Sequence, residues 1–370
     1  LNSSGTRLYD ATTNSNSSDL TLSNLVGSET LNLSGTGSVA NANVASNKTV
    51  TLGTLALADN SGLAANYTLS GGTHQLTVDQ RPLNATLARQ YDGTTTSAGS
   101  TLSSFDALQG GETLTLSGSG TSASANVANG IAMSSNGNLA LVDGTGLASN
   151  YSLNSTVINI TPRVLNSSGS KIYDANTDAL AADITLSNLV SGETLNHSGT
   201  ATISSANTGN YTINNLTGIT LADNTGTASN YTLTGGTHNF TVNPKVVSIQ
   251  GNKTYDGNTT ISSGDITSIT DTVGAETLVI SSGSGTVSSA NAATYASADI
   301  NEGTLTLGNG TNGGLASNYT LTGHAASSFQ VAQRVLSSSG SRIYDGSTTA
   351  SSSDLTLSNL VGSETLTLSG

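Results

Sequence analysis

Few side chains in this chain of 370 residues can do chemistry: 4 histidines, no cysteine, 23 acidic and 10 basic residues. His74, His197, His238 and His324 form no His-Glu-x-x-His pair and no His–Asp–Ser set. Without cysteine there is no thiolate nucleophile or metal ligand. His74 and His238 both follow Gly-Gly-Thr and read as surface turn residues. None of the 42 glycines forms a phosphate loop with a lysine, and the acids stand singly rather than as a glycosidase pair. Catalysis is therefore not expected. Calcium is the one cofactor the turns leave open, since the ion takes about six to eight oxygen ligands. Asp59, Asp143 and Asp223 recur at one position, but Asn309 stands there in the fourth copy. Asp19, Asp183, Asp265 and Asp354 recur at another, interrupted by Thr101. No EF-hand loop or Gly-Asp nonapeptide accompanies them, so the expectation is no cofactor.

The acids and tyrosines do have a register. Tyr-Asp occurs at Tyr9-Asp10, Tyr91-Asp92, Tyr173-Asp174, Tyr255-Asp256 and Tyr344-Asp345, at intervals of 82, 82, 82 and 89 residues. A Glu-Thr-Leu follows each tyrosine by 20 or 21 positions, at Glu29, Glu112, Glu193, Glu276 and Glu364. An Ala-Asn comes next, at Asn43, Asn126, Asn207 and Asn291. Then comes Asn-Tyr-(Thr/Ser)-Leu, at Asn66-Tyr67, Asn150-Tyr151, Asn230-Tyr231 and Asn318-Tyr319. Nine of the ten basic residues keep the same register. Arg7, Arg89, Lys171, Lys253 and Arg342 precede the Tyr-Asp tyrosine by two, and Arg81, Arg163, Lys245 and Arg334 precede it by ten. Only Lys48 stands apart. Internal repetition of this length defines a tandem array. The repeats are residues 1–79, 80–161, 162–243 and 244–332, with a partial fifth at 333–370. Residues 1–35 match residues 336–370 at 26 of 35 positions. Both ends fall inside a repeat, so the natural polypeptide is expected to continue in both directions.

The elements that position these residues read as strands. Leu114 and Leu116 alternate with threonine, as do Tyr67 and Leu69 with Thr68 and Ser70. Clusters such as Ala58-Asp59-Asn60-Ser61-Gly62 supply turn chemistry every 8–12 residues or so. No segment shows a sustained 3.6-residue apolar period. A sandwich of about six to eight strands per repeat is expected. The joints Asn159-Ile160-Thr161-Pro162-Arg163-Val164 and Thr241-Val242-Asn243-Pro244-Lys245-Val246 contain no coil-like linker, which predicts a semi-rigid rod of beads. The net charge of −13 is spread evenly, so nucleic acid is not an expected partner. No stretch approaches the 18 or so apolar residues of a membrane span. The absence of disulfides suits bacterial export.

Tyr-Asp-Gly-(Asn/Ser/Thr)-Thr at Tyr91, Tyr255 and Tyr344, with Gly-Glu-Thr-Leu, Ala-Asn-Val and the late Asn-Tyr-Thr-Leu, resembles the YDG repeat. This is an immunoglobulin-like module, related to MBG repeats, of filamentous-haemagglutinin-type bacterial adhesins. The resemblance covers essentially the whole chain. It implies an all-β tandem array serving as the stalk of an exported adhesin or a biofilm-matrix fibre, at the bacterial surface or outside the cell. The alternative is that the repeats themselves bind glycans, host or neighbouring cells, or like chains through strand edges. The family supplies no catalytic residue. Ala11 and Ala175 replace the glycine of the motif, so that glycine reads as a preference rather than a demand for positive φ. Each Tyr-Asp is expected to be a turn aspartate beside a core tyrosine. Tyr67, Tyr151, Tyr231 and Tyr319 are expected to act as tyrosine corners. The basic residue two before each tyrosine is expected to pair across strands with the glutamate, for example Arg89 with Glu112. A lysine–asparagine isopeptide bond is not expected, since three of the five copies carry arginine there.

Overall fold

The computed structural model describes residues 1–213 and 215–370. Among these the regular elements are β-strands and single 3-10 turns, as the short alternating runs predict. The chain divides into two compact units. One comprises Leu1–Leu165, Leu189–Leu195 and Ala222–Gly235; the other comprises Asn166–Asn188, Asn196–Leu221 and Gly236–Gly370.

In the first unit, Leu76 and Val78 alternate with Gln75 and Thr77 and are 0% and 1% exposed. Their strand, His74–Asp79, lies parallel to Asn2–Leu8, with Ser3 opposite His74 and Leu8 opposite Asp79. Thr21–Ser23 and Ala45–Thr49 flank this pair antiparallel. The second repeat repeats the plan: Arg81–Gln90 is parallel to Tyr151–Thr161, with Leu102–Phe105 and Ala128–Ser135 alongside. Parallel neighbours need a long crossover, and here the crossover is nearly the whole repeat. Because first and last strands run the same way, the end of the last strand leads directly into the next repeat. Only Gln80 separates His74–Asp79 from Arg81–Gln90, and only Pro162 separates Tyr151–Thr161 from Arg163–Val164. Proline has no N–H to leave unpaired at such a boundary.

The second unit follows the same pattern. Asn166–Ile172 is parallel to His238–Asn243, flanked by Ile184–Ser187 and Gly209–Thr212. Ser248–Thr254 is parallel to Ser328–Ala332, flanked by Ile266–Thr270 and Ala293–Ala296. Phe240, Val242, Ile249, Phe329 and Val331 are buried in these sheets.

Three expectations are corrected. His74 and His238 are buried, at 6% and 5% exposure, because each begins the last strand of its repeat. Nδ1 of His74 meets the Ser3 hydroxyl at 2.8 Å and its Nε2 meets the Leu69 carbonyl, so the ring cross-links the first and last strands. The residue after Tyr-Asp has positive φ whether it is Ala11 (61°), Gly93 (79°), Ala175 (63°) or Gly257 (78°). That position does demand the left-handed region, and the alanines carry its strain. Finally, the first two repeats are not separate beads. Tyr9, Leu20, Val39, Val50, Leu76 and Val78 form one buried cluster with Leu83, Leu114 and Tyr151 of the second repeat.

Candidate functional site

Each Tyr-Asp closes a tight turn with the basic residue before it. Lys171 and Asp174 meet at 2.8 Å, Lys253 and Asp256 at 2.9 Å, and Arg342 and Asp345 at 2.8 Å; Arg7 with Asp10 and Arg89 with Asp92 make the same pair. The aspartate also accepts from the backbone N–H two residues on, at Thr12, Thr94, Asn176, Asn258 and Ser347. Burial works against ionisation of Asp10. The hydrogen bonds from Thr12 and Arg7 outweigh it and hold the carboxyl below the ordinary aspartate range. Asp174 and Asp256 are lowered in the same way, with Lys171 and Lys253 as the cations. The proposed pair of Arg89 with Glu112 does not form. A partner three residues away in a closed turn leaves the cation no reason to reach across the sheet.

The glutamates have a different use, and it joins repeats. The Tyr9 hydroxyl of the first repeat donates to Glu112 Oε1 of the second at 2.5 Å, and Tyr151 donates to Glu112 Oε2 at 2.6 Å. Tyr91 and Tyr231 hold the two oxygens of Glu193, each at 2.6 Å. Tyr173 and Tyr319 hold Glu276 at 2.7 and 2.5 Å. The two rings of each joint meet edge to face, with centroids 5.2–5.4 Å apart. The first two joints lie in the first unit and the third in the second. The late tyrosines also accept a backbone N–H just upstream of the glutamate, at Val26, Gln109, Val190 and Val273. They therefore tie down a distant loop, as a tyrosine corner would, but their main partner is the carboxylate.

The asparagines complete the joint. Asn150 donates to Asn43 Oδ1 and accepts from Val44 N. Asn230 does so with Asn126 and Val127, and Asn318 with Asn207 and Thr208. Arg81 reaches the Tyr9 carbonyl of the preceding repeat and the Ala107 carbonyl of its own. Arg334 likewise spans the carbonyls of Tyr255 and Asn359. Residues outside the register brace this contact. Lys48 donates to the Asn43 carbonyl, Tyr211 to that of Asn207 at 2.7 Å and Tyr295 to that of Asn291 at 2.6 Å. Sequence reading set these three aside, although Tyr211 and Tyr295 each stand four residues after the recurring asparagine and Lys48 five, a spacing that could have found them.

The clamp raises the pKa of its tyrosines. Burial, and then the bond to Glu112, push Tyr151 up to about 12. Tyr173 and Tyr231 are pushed to about 12 by burial and then by Glu276 and Glu193, and Tyr9 and Tyr319 are also raised. Most of the turn acids weighed for calcium have backbone partners. Asp59, Asp143 and Asp223 accept from Ala64, Ala148 and Ala228 N at 2.7 Å, and Asn309 does the same for Ala316 at 2.8 Å. One neutral acceptor suffices there, which explains the Asp-to-Asn exchange. Among the described residues no three His, Asp or Glu side chains gather as metal ligands.

The family profile described as the YDG domain matches residues 2–76, 74–158 and 159–239. The chain belongs to the YDG-domain family. A search of curated proteins finds no match. The joint residues of the first three YDG repeats lie within or beside the matched spans, and residues 245–332 build the same parallel-paired sheet.

Proposed function

We propose that these YDG repeats are a structural stalk of a large exported bacterial adhesin or matrix fibre, non-catalytic and working outside the cell, with immunoglobulin-like sandwiches as the individual modules. One observation carries this reading: the Tyr-Asp tyrosine, the glutamate and the late asparagine bind the neighbouring repeat. A module selected to bind a ligand would direct its recurring polar groups to an open surface. Here they join neighbouring copies, so that each joint adds a fixed increment of stability. The test is binding of a fragment spanning residues 81–332 to cells and to matrix polysaccharide, with and without calcium. The stalk reading expects no saturable binding. Saturable binding would assign adhesion to the repeats themselves and displace it.

A further inference from the structure

Each of the first four repeats begins and ends on one ladder, and the two strands of that ladder point the same way. In the second repeat the ladder runs from Arg81 opposite Tyr151 to Gln90 opposite Thr161, with one register shift between Leu153 and Ser155. It runs from Ser3 opposite His74 to Leu8 opposite Asp79 in the first and from Ser167 opposite His238 to Ile172 opposite Asn243 in the third. In the fourth it runs from Gln250 opposite Ser328 to Thr254 opposite Ala332. The tyrosine of Tyr-Asp adds one more bond at the same end each time. The N–H groups of Tyr9, Tyr91, Tyr173 and Tyr255 donate to the carbonyls of Asp79, Thr161, Asn243 and Ala332 at 2.8–2.9 Å. A single residue then separates Asp79 from Arg81, Thr161 from Arg163 and Asn243 from Lys245, where the next repeat begins.

Tension along the chain therefore has a defined geometry inside each repeat. It pulls the first strand by its N-terminal end and the last strand by its C-terminal end. Because the strands are parallel, those two points lie at opposite ends of the ladder, and the pull slides one strand along the other. A ladder loaded in this way must break its bonds together; one loaded at a single end opens them in turn. Each backbone hydrogen bond is modest by itself, so the sharing of load decides the force. We infer that the parallel ladder of first and last strands is a mechanical clamp by which each repeat resists tension, with the Tyr-Asp tyrosine as its latch. That tyrosine closes the ladder through its N–H at the point where load leaves the repeat. Its hydroxyl holds the glutamate of the repeat that the load enters next. Leu83, Leu87, Ile158 and Ile160 of the second ladder are 0–1% exposed, which keeps water from one face of its bonds. The inference rests on strand direction and not on the stalk role.

The chain has no cysteine, so a pair of introduced cysteines fixes where handles attach to the full 370-residue protein. Pro82→Cys with Thr161→Cys loads the second ladder from opposite ends. Gln90→Cys with Thr161→Cys loads it from one end, since Gln90 and Thr161 are register partners. All three positions are exposed. In optical-tweezers pulling at one loading rate, the first pair should unfold at a force at least about twofold higher than the second, because forced unfolding follows the unfolding barrier. A second comparison separates the clamp from stability in general. Ile158→Val lies on the ladder, whereas Leu116→Ala lies on the separate pairing of Leu114–Ser117 with Ala140–Asp143. Both should lower the melting temperature, and only Ile158→Val should lower the force measured between positions 82 and 161. Equal forces in the two geometries overturn the inference. So does a loss of force in Leu116→Ala that matches or exceeds the loss in Ile158→Val. Neither result bears on binding to cells or polysaccharide, so the stalk reading keeps its own test.

Discussion

Tyr9, Glu112 and Tyr151 show how little chemistry is needed to join two repeats: one carboxylate receives two hydroxyls, each from a ring that is itself packed. A hydrogen bond to a charged group contributes about 1.5–3 kcal/mol. Tyr9→Phe and Glu112→Gln should each destabilise by about that amount. Their double-mutant cycle should show coupling of at least about 0.5 kcal/mol in denaturant melts. Strict additivity would remove the clamp from the account. The pH dependence follows from the same groups. The tyrosines have folded pKa values above their unfolded value of 10.0, so their contribution is complete below pH 10 and is lost as pH rises through about 12. Asp10, Asp174 and Asp256 lie below 3.8, so theirs is present above that pH and lost as pH falls below it. Melting temperature plotted against pH should be flat between these limits, fall at the alkaline end, and lose much of that alkaline step in Tyr151→Phe. At the neighbouring turn, Ala11→Gly should stabilise by about 0.5–1 kcal/mol by relieving a left-handed alanine.

At the scale of elements, close approach matters as much as dihedral angle. A Cβ on Gly93 would lie 2.9 Å from Val190 Cγ1 of the next repeat, in addition to its φ of +79°. Gly93→Ala should therefore cost about 1–2 kcal/mol, measured by thermal unfolding. Gly169 and Gly251 sit where a Cβ would meet the carbonyls of Asp183 and Asp265 at 2.4 and 2.5 Å. The second repeat has Leu87 and Thr101 at the corresponding places, and there the register shifts between Leu102 and Ser104. The fourth repeat has a register shift at the same place, between Gln250 and Gly251, and keeps its glycine. The turn clusters and the alternation of Leu114 and Leu116 were readable before the fold, because alternation along a strand is local, whereas the alternation read at Tyr67 and Leu69 falls outside any strand, between the 3-10 turn Ala64–Asn66 and the strand His74–Asp79. The parallel pairing of first and last strands was not readable, since it brings together residues about one repeat apart.

For the whole molecule, stability should grow with the number of joints. Residues 80–161 alone keep Glu112 and Tyr151 but lose Tyr9, and Tyr91 loses Glu193. That fragment should melt well below residues 1–161, which restore one joint together with the shared cluster of Leu76, Leu83 and Tyr151. Equal melting temperatures would mean that the repeats fold independently after all. The net charge of −13 is consistent with a surface that stays dispersed, and its sparse cations are held in turns and joints rather than in a patch for polyanions.

The sequence by itself determined the repeat length, the all-β class and the short list of residues that matter, because a chain with so few charged and aromatic residues places them only where structure requires. It also placed the Tyr-Asp turn correctly. Only the tertiary structure decided which of those residues meet. Arg89 and Glu112 are related by sequence register, yet Arg89 turns to Asp92, and Glu112 faces a tyrosine 103 residues away. His74 looked exposed because Gly-Gly-Thr precedes it, and is buried because it opens the last strand. In a tandem array, a residue at one repeat position serves equally as a contact within its own copy or with the next. Spacing alone cannot distinguish the two; the direction in which each strand leaves the sheet does.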